Sequence, residues 1–307
     1  MVGSEVGVSV DIGRIGVFSV PLEVAPRTVG VEFVQEVEEL GYGAVWTGEG
    51  LGTRELFTNA AVLLAGTRRI VFGAGIANVW ARDPVTMVTA TSTLLESYPG
   101  RFLLGLGISH REQVDPRGHQ YSRPVSTMRS YLEAMDSAAF VSPLPTESAA
   151  TAPVRRVLAA LRPPMLRLAA ELADGAHPYM TTPETTAVAR EILGPEAILA
   201  SEQAFLLESD PSEARRIGRL YLSWYLSVQN FRKSLLWQGF SEQDLEDGGS
   251  DALVDAIVAW GDEESVRARV QAHLDAGASH VCVQAIAADP LELGTEAYRR
   301  VAPALLD

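Results

Sequence analysis

Cysteine is nearly absent from this chain of 307 residues, since Cys282 is its only one. A single cysteine excludes an intramolecular disulfide and fits a reducing compartment. The N-terminus lacks the basic-then-apolar order of a signal peptide, and no uncharged apolar run approaches the ~18 residues that span a bilayer. We therefore expect a soluble, cytoplasmic protein.

Positive charge is also scarce. The chain has 25 Lys and Arg against 39 Asp and Glu, a net charge of −14, and no basic run. Such a composition is unsuited to binding nucleic acid or an anionic membrane surface. We expect no nucleic-acid and no membrane partner, so the ligand is a small molecule or the partner is another protein.

Several catalytic motifs are missing as well. The chain has no Gly-x-Ser-x-Gly elbow, no Gly-Lys-Ser/Thr and no Gly-x-Gly-x-x-Gly, which argues against acyl transfer, P-loop phosphate binding and a Rossmann domain. The five histidines form no His-x-His or His-x-x-x-His pair, so we predict no metal site. They are His110, His119, His177, His273 and His280.

Short β-prone runs alternate regularly with helical segments along the chain. Strands are predicted at 15–20, 44–47, 70–72, 101–107, 156–161, 176–180, 198–207 and 281–286. Helices are predicted at 26–40, 55–65, 84–96, 124–139, 164–173, 183–193, 263–276 and 291–306. Eight βα units in this order predict an α/β fold, a (β/α)8 TIM barrel, with its site at the C-terminal ends of the strands.

A helical insertion at about 212–260 separates the seventh and eighth predicted strands. It contains an aromatic-rich helix at 212–236 and a helix at 251–260. Such an aromatic stripe more often belongs to a core or a dimer surface than to a cofactor site, and we expect a homodimer. Residues 1–307 are predicted to form a single domain, with a flexible surface segment at 142–153.

The predicted site centres on residues 69–84. The third strand loses its side chains at 73–75, which allows a flat ligand or another backbone to approach closely. Polar and stacking side chains follow at Asn78, Trp80 and Arg82. The alternative is a glycine-relieved strand end whose tryptophan packs on a neighbouring helix.

Three more side chains follow strands into the same end of the barrel. Glu49 ends the second strand, His110 follows the fourth and His177 belongs to the sixth. Carboxylates and imidazoles at such positions donate or accept protons. The alternatives are a loop cap for Glu49 and a turn residue for His177, whereas His273 and His280 are expected to be packing or surface residues.

Several sequence runs resemble a known family. They are Gly-Ala-Gly-Ile-Ala-Asn at 73–78, Tyr-Pro-Gly-Arg-Phe at 98–102, Gly-Leu-Gly at 105–107, Ala-Asp-Gly at 173–175 and Leu-Asp-Ala-Gly-Ala at 274–278. Their order along nearly the whole chain resembles the bacterial luciferase-like monooxygenase superfamily, in particular its branch of probable oxidoreductases that use the deazaflavin coenzyme F420. The fold of that superfamily, a (β/α)8 barrel with a late insertion, agrees with the pattern above.

The resemblance implies a tricyclic cofactor at the barrel mouth, against a bulge in the third strand that carries a non-prolyl cis peptide bond. The matching bond here is Gly75–Ile76. His110 matches a residue beside the reactive ring, and Glu49 matches an acidic residue that in some relatives precedes a histidine, where this chain has Gly50. The implied cofactor-binding residues are Gly75, Ile76, Asn78, Gly107, Ser109, Ala159, Ala160, Leu161, Arg162 and Ala176.

The phosphate site departs from the family pattern. In relatives the cofactor phosphate lies on a small-residue turn after the fifth strand, where main-chain N–H groups and a helix dipole bind it. This chain has Leu161 and Arg162 where glycine is expected. Either Arg162 supplies a guanidinium in place of main-chain contacts, or the bulk closes the pocket.

The activity implied by the resemblance is hydride transfer between coenzyme F420 and a small organic substrate. The catalytic candidates are His110, Glu49 and His177, and His110 would donate or accept the accompanying proton. One alternative is an FMN-dependent monooxygenase on the same fold. The other is a non-catalytic, ligand-binding member, which the departures at Gly50 and Arg162 would explain.

Overall fold

The computed structural model describes residues 10–138, Val141 and residues 154–306. Its strands are β1 Ile15–Phe18, β2 Ala44–Thr47, β3 Val71–Ala74, β4 Ala77–Asn78, β5 Phe102–Gly107, β6 Arg156–Leu158, β7 Gly175–Ala176, β8 Ile198–Leu206, β9 Val258–Trp260 and β10 His280–Ala285. They pair in parallel, and the ring β1-β2-β3-β5-β6-β7-β8 is closed by β10, which pairs with both β8 and β1. The predicted TIM barrel is confirmed.

Helices connect the strands around the outside of the barrel. They are α1 Arg27–Leu40, α2 Leu56–Ala65, α3 Pro84–Ser97, α4 Arg111–Val114, α5 Pro124–Asp136, α6 Pro163–Leu172, α7 Pro183–Leu193, α8 Pro211–Ser227, α9 Gln229–Trp237, α10 Asp251–Ile257, α11 Glu263–Asp275 and α12 Thr295–Leu306. Local chemistry fixes their ends: the Asp83 side chain accepts from two main-chain N–H groups at the start of α3, and Gly41 ends α1 at φ 98°. Within the described ranges, no helix combines the length and apolarity that crossing a membrane requires.

The strands β3 and β4 are two parts of one strand, separated by a bulge. Gly73 of β3 pairs with Leu103 of β5, and Ala77 of β4 pairs with Leu106. From Gly73 to Ala77 the first strand advances four residues, whereas from Leu103 to Leu106 β5 advances three. The first strand therefore contains one extra residue, as in a β-bulge. The Gly75–Ile76 peptide bond inside this bulge is cis, as predicted.

The barrel interior is filled around Trp46, which is fully buried. Its indole N–H donates to Nε2 of the buried packing residue His280 at 3.0 Å, and its ring stacks on His177 with centroids 4.8 Å apart. A Cβ at Gly73 would lie 2.3 Å from the Trp46 ring. The glycine at position 73 therefore makes room for this indole, and not for a ligand.

The insertion between β8 and β10 differs from its prediction in two ways. The helix predicted at 212–236 is broken at Val228, whose extended backbone separates α8 from α9. The helix predicted at 251–260 ends at Ile257, because the next three residues form β9 and pair with the end of β8. Val and Trp favour strands, and β8 extends far enough to pair with them.

The sixth predicted strand, 176–180, is much shorter in the structure. Only β7 is formed, because Pro178 lacks an N–H group and Met180 has φ 54°, outside the β region. The surface segment predicted at 142–153 and the last residue of the helix predicted at 124–139 lie outside the described residues.

Candidate functional site

A cavity of about 950 Å³ opens at the C-terminal ends of the strands. Loops after the barrel strands line it together with α8 and α9. The predicted site residues that line it are Glu49, Gly75, Ile76, Gly107, Ser109, His110, Ala159, Leu161, Arg162 and His177. Asn78, Ala160 and Ala176 are buried behind its wall and do not line it.

The Gly75–Ile76 bulge forms one part of the cavity wall. A Cβ at Gly75 would lie 2.7 Å from the Phe18 ring and 3.1 Å from Nε2 of His177. A Cβ at Gly107 would lie 2.3 Å from the Ile76 side chain. Because neither position has room for a side chain, the wall presents main chain to the cavity.

Glu49 is held in an ion pair at the edge of this wall. One carboxylate oxygen accepts from the Asn78 main-chain N–H and from Arg82 Nη1, both at 2.9 Å, and the other accepts from Arg82 Nη2. Arg82 also pairs with Glu55 at 2.8 Å. The Glu49 and Arg82 side chains are 5% and 8% exposed. The Glu49 carboxylate thus ties the end of β2 to β4.

His110 immediately precedes α4 and packs against the insertion. Its ring centroid lies 5.0 Å from that of Phe231 and 6.5 Å from that of Trp224. Nδ1 is buried without a hydrogen-bond partner among the described residues. Burial lowers the pKa of His110, so the neutral imidazole, which can accept a proton, prevails at pH 7.

His177 lies between the barrel interior and the cavity. Its Nδ1 lies 2.8 Å from the Ala200 carbonyl oxygen, so this nitrogen carries the hydrogen. Nε2 is then an acceptor, and it is buried without a partner in the described part of the chain. Burial lowers the pKa of His177 to about 4, so the ring is neutral at pH 7.

Arg162 stands at the start of α6, where the family pattern predicted a phosphate site. The first two helical residues are Pro163 and Pro164, which have no N–H groups, and the Met165 N–H already donates to the Arg162 carbonyl at 3.1 Å. The Arg162 side chain donates to Asn230 Oδ1 at 2.9 Å and has no carboxylate partner among the described residues. The start of α6 therefore offers a guanidinium, while the first three helical residues have no free main-chain N–H group.

Two groups of cavity residues were not predicted. Glu23, in the 3-10 turn after β1, left no signal, because an acidic residue in a loop is unremarkable in sequence. Tyr221, Trp224 and Tyr225 of α8 line the cavity together with Phe231 of α9. The signal for these was the aromatic stripe, which spacing alone assigned to a core or a dimer surface.

The cavity side chains offer proton transfer and anion binding. The histidines supply the first and Arg162 the second. Cys282 is buried, and burial raises the pKa of its thiol, so it is not a ready nucleophile. No group of three or more His, Cys, Asp or Glu side chains in the described ranges is arranged to hold a metal ion.

Comparison with known proteins relates this barrel to one family. The family model of luciferase-like monooxygenases matches residues 23–280. A 5,10-methylenetetrahydromethanopterin reductase of Methanolobus tindarius is 22% identical over 304 residues, which cover 83% of this chain and 93% of the relative.

Two solved structures share the fold at low sequence identity. An F420-dependent secondary alcohol dehydrogenase in complex with an F420-acetone adduct has a TM-score of 0.74 and 17% identity, over 96% of this chain and 99% of the other. The oxygenating constituent of 3,6-diketocamphane monooxygenase from Pseudomonas putida, in complex with FMN, has a TM-score of 0.70 and 17% identity, over 95% and 98%.

Proposed function

This chain belongs to the luciferase-like monooxygenase family, and from that premise we propose that it is an oxidoreductase that transfers a hydride between coenzyme F420 and a small organic substrate. The observation that carries the proposal is the cavity at the Gly75–Ile76 bulge, where main chain faces a space of about 950 Å³. The F420-dependent dehydrogenase with the same fold supports the choice of cofactor.

The polar atoms of the cavity fit a flat heterocycle that carries a phosphate. His110 Nδ1 and His177 Nε2 are buried and unpartnered within the described ranges, and Arg162 has no carboxylate partner there. The ring would lie against Gly75, Ile76, Gly107 and Ser109, and the phosphate against Ala159, Leu161 and Arg162. Asn78, Ala160 and Ala176 would support this wall from behind. A guanidinium can bind a phosphate through two hydrogen bonds, which suits it to replace the missing main-chain donors.

The protein's own residues would position the substrate and move the proton. When bound, the deazaflavin supplies or accepts the hydride. His110, neutral at pH 7, would accept or return the accompanying proton, with His177 as the second candidate. Glu49 would hold the bulge in place through the Asn78 main-chain N–H, with Arg82 fixing its carboxylate, which is therefore already occupied.

Cofactor binding tests the proposal directly. Adding coenzyme F420 or FMN to the purified protein should quench F420 fluorescence at lower concentration than FMN fluorescence. Arg162→Ala should weaken F420 binding by roughly 10- to 100-fold, the value of one or two charge-assisted hydrogen bonds. Arg167→Ala, an exposed arginine on the same helix, is the matched control and should change nothing.

An FMN-dependent monooxygenase is the second candidate function. The FMN-bound neighbour shares the fold, and a guanidinium at position 162 suits the FMN phosphate equally well. Tighter binding of FMN than of F420 would favour this candidate. Binding of neither cofactor would favour a non-catalytic, ligand-binding member of the family.

We further propose that residues 1–307 form one domain and that the protein is a homodimer. The insertion packs onto the barrel, with Phe231 against His110 and Tyr225 against Tyr179. Leu220 and Trp224 of α8 nevertheless remain 51% and 49% exposed. A second copy covering such apolar side chains would remove them from water.

A further inference from the structure

One side of the cavity is rich in groups that accept hydrogen bonds. This acceptor recess consists of Glu23, His177, Tyr179, Tyr221, Tyr225 and Gln284. Two of its members flank the Phe18 ring, which lies 5.8 Å from that of His177 and 5.3 Å from that of Tyr179. The Tyr179 ring lies 5.4 Å from that of Tyr225, and burial raises the pKa of the Tyr225 hydroxyl, as do the charges of Glu202 and then Glu23.

The three tyrosine hydroxyls use all their hydrogens within the recess. Tyr179 donates its hydrogen to Gln284 Oε1 at 2.7 Å, and Tyr221 donates to Tyr179 at 3.1 Å. Because Tyr179 has no second hydrogen, its 2.7 Å contact with the Tyr225 hydroxyl must be donated by Tyr225. The oxygens of Tyr221 and Tyr225 therefore offer only lone pairs to a ligand, and the Gln284 amide group supplies the donor of the recess.

Two further acceptors complete the recess. His177 Nε2 carries a lone pair, because the hydrogen is on Nδ1. Glu23 accepts from the Gly50 main-chain N–H at 3.0 Å and has no cationic partner among the described residues. A Cβ at Gly48 would lie 2.6 Å from its Oε1 and 3.0 Å from the Gly75 carbonyl oxygen, so the carboxyl group is beside the bulge.

Partly buried acceptors of this kind are satisfied by ligand groups that donate. We propose that the acceptor recess binds the substrate through an amine or hydroxyl group carried on a flat apolar body. The rings of Tyr225 and Phe231, with centroids 4.9 Å apart at 86°, provide the surface for that body. An aromatic ring beside a carboxylate also suits a protonated amine.

This inference rests on the proposed function and gives it a direction. The substrate would enter in its reduced form and be oxidised. Its C–H bond breaks and the electron pair leaves as hydride to the cofactor, the O–H or N–H proton goes to the neutral imidazole that the substrate group contacts, His110 or, inside the recess, His177, and a C=O or C=N bond forms. Phe231 lies between the recess and His110, since its ring contacts those of Tyr225 and His110.

Three matched probes test the recess in the full-length protein without cofactor. Calorimetric titration should show benzyl alcohol or benzylamine binding about tenfold more tightly than benzaldehyde, because a carbonyl brings no donor and leaves the acceptors unpaired. Tyr221→Phe, which keeps the ring and removes the oxygen, should reduce that preference about threefold or more. Glu23→Gln should weaken the binding of benzylamine more than that of benzyl alcohol if the natural substrate carries an amine. It should weaken the binding of the two probes equally if the natural substrate carries a hydroxyl group.

The control is Glu39→Gln, an exposed carboxylate on α1, which should leave all three affinities unchanged. Benzaldehyde binding as tightly as the donors, or no binding by any of the three probes, would overturn the proposal. Since no cofactor is present, such a result is distinct from a failure of F420 to quench.

Discussion

Glu202 on β8 should make the stability of this protein fall as the pH rises. Its side chain is buried, with one oxygen accepting from the Met180 N–H at 3.1 Å and the other without a partner in the described part of the chain. Burial raises the pKa of Glu202 from 4.5 to about 8. Between these values the folded protein holds a proton that the unfolded chain has lost, so the free energy of unfolding decreases with pH, by about 5 kcal/mol over the whole interval.

Buried histidines act in the opposite direction at lower pH. The pKa values of His177, His273 and His280 are each lowered to about 4 by burial. Their contribution to the free energy of unfolding therefore rises as the pH increases from about 4 to the unfolded-chain pKa of 6.5. Between pH 6.5 and 8 the unfolded histidines lose their remaining protons, which still adds about 1 kcal/mol in total. A variant that lacks only the Glu202 carboxyl keeps this contribution, so its difference from the wild type isolates the share of Glu202, about 2 kcal/mol over this interval.

Urea unfolding of the wild type and of Glu202→Gln at several pH values between 6.5 and 8 provides the measurement. Across this interval the wild type should lose about 2 kcal/mol relative to Glu202→Gln, a neutral isostere of the protonated acid that keeps the same histidines. Glu39→Gln should keep the wild-type slope. Equal slopes for the wild type and Glu202→Gln would show that the ionised carboxylate is tolerated in the barrel, and the reasoning would fail.

Three shorter predictions concern the site and the assembly. His110→Ala should keep F420 affinity within a few-fold while turnover of a confirmed substrate falls roughly 10²–10⁴-fold in steady-state assays; retained turnover, with loss in His177→Ala, would assign the proton to His177. Arg82→Met should lower the free energy of unfolding by about 3–5 kcal/mol in urea titrations, because Glu49 is left as a buried, unpaired charge; a loss below about 1 kcal/mol would mean that water or another group compensates. Light scattering at micromolar concentration should show a homodimer, and a monomer would remove that proposal.

The barrel could be predicted from sequence because its signals are local. Every strand of the ring except β7, which is Gly175–Ala176, contains a β-prone run, and the order of strands and helices determines the topology once connections are right-handed. The cis bond at Gly75–Ile76 could be predicted only through the family resemblance, since Gly-Ala-Gly-Ile has many conformations available to it. Glycine at position 73 was misread for the same reason: what fills its space, Trp46, lies on another strand.

The cavity side chains were harder to predict because they depend on contacts distant in sequence. Whether Tyr225 faces solvent, a partner or a ligand depends on the break at Val228, which turns α9 back so that Phe231 packs on it. Nothing local distinguishes Glu23 from any other loop carboxylate. His110, by contrast, lies in the loop after β5, and for such a residue the barrel geometry alone is a sufficient guide, whereas Arg162 could be predicted only through the family resemblance.

The ion pair of Glu49 and Arg82 also determines how much conformational freedom the cavity wall loses when a ligand binds. The Arg82 guanidinium joins Glu49, after β2, to Glu55 at the start of α2, and Glu49 in turn accepts from the Asn78 main-chain N–H on the β4 side of the bulge. A wall fixed in this way is preorganised, so association loses little conformational entropy there. The Asn78 main-chain N–H should accordingly exchange slowly with deuterium in the ligand-free protein. Binding of a ligand should slow this exchange only slightly further.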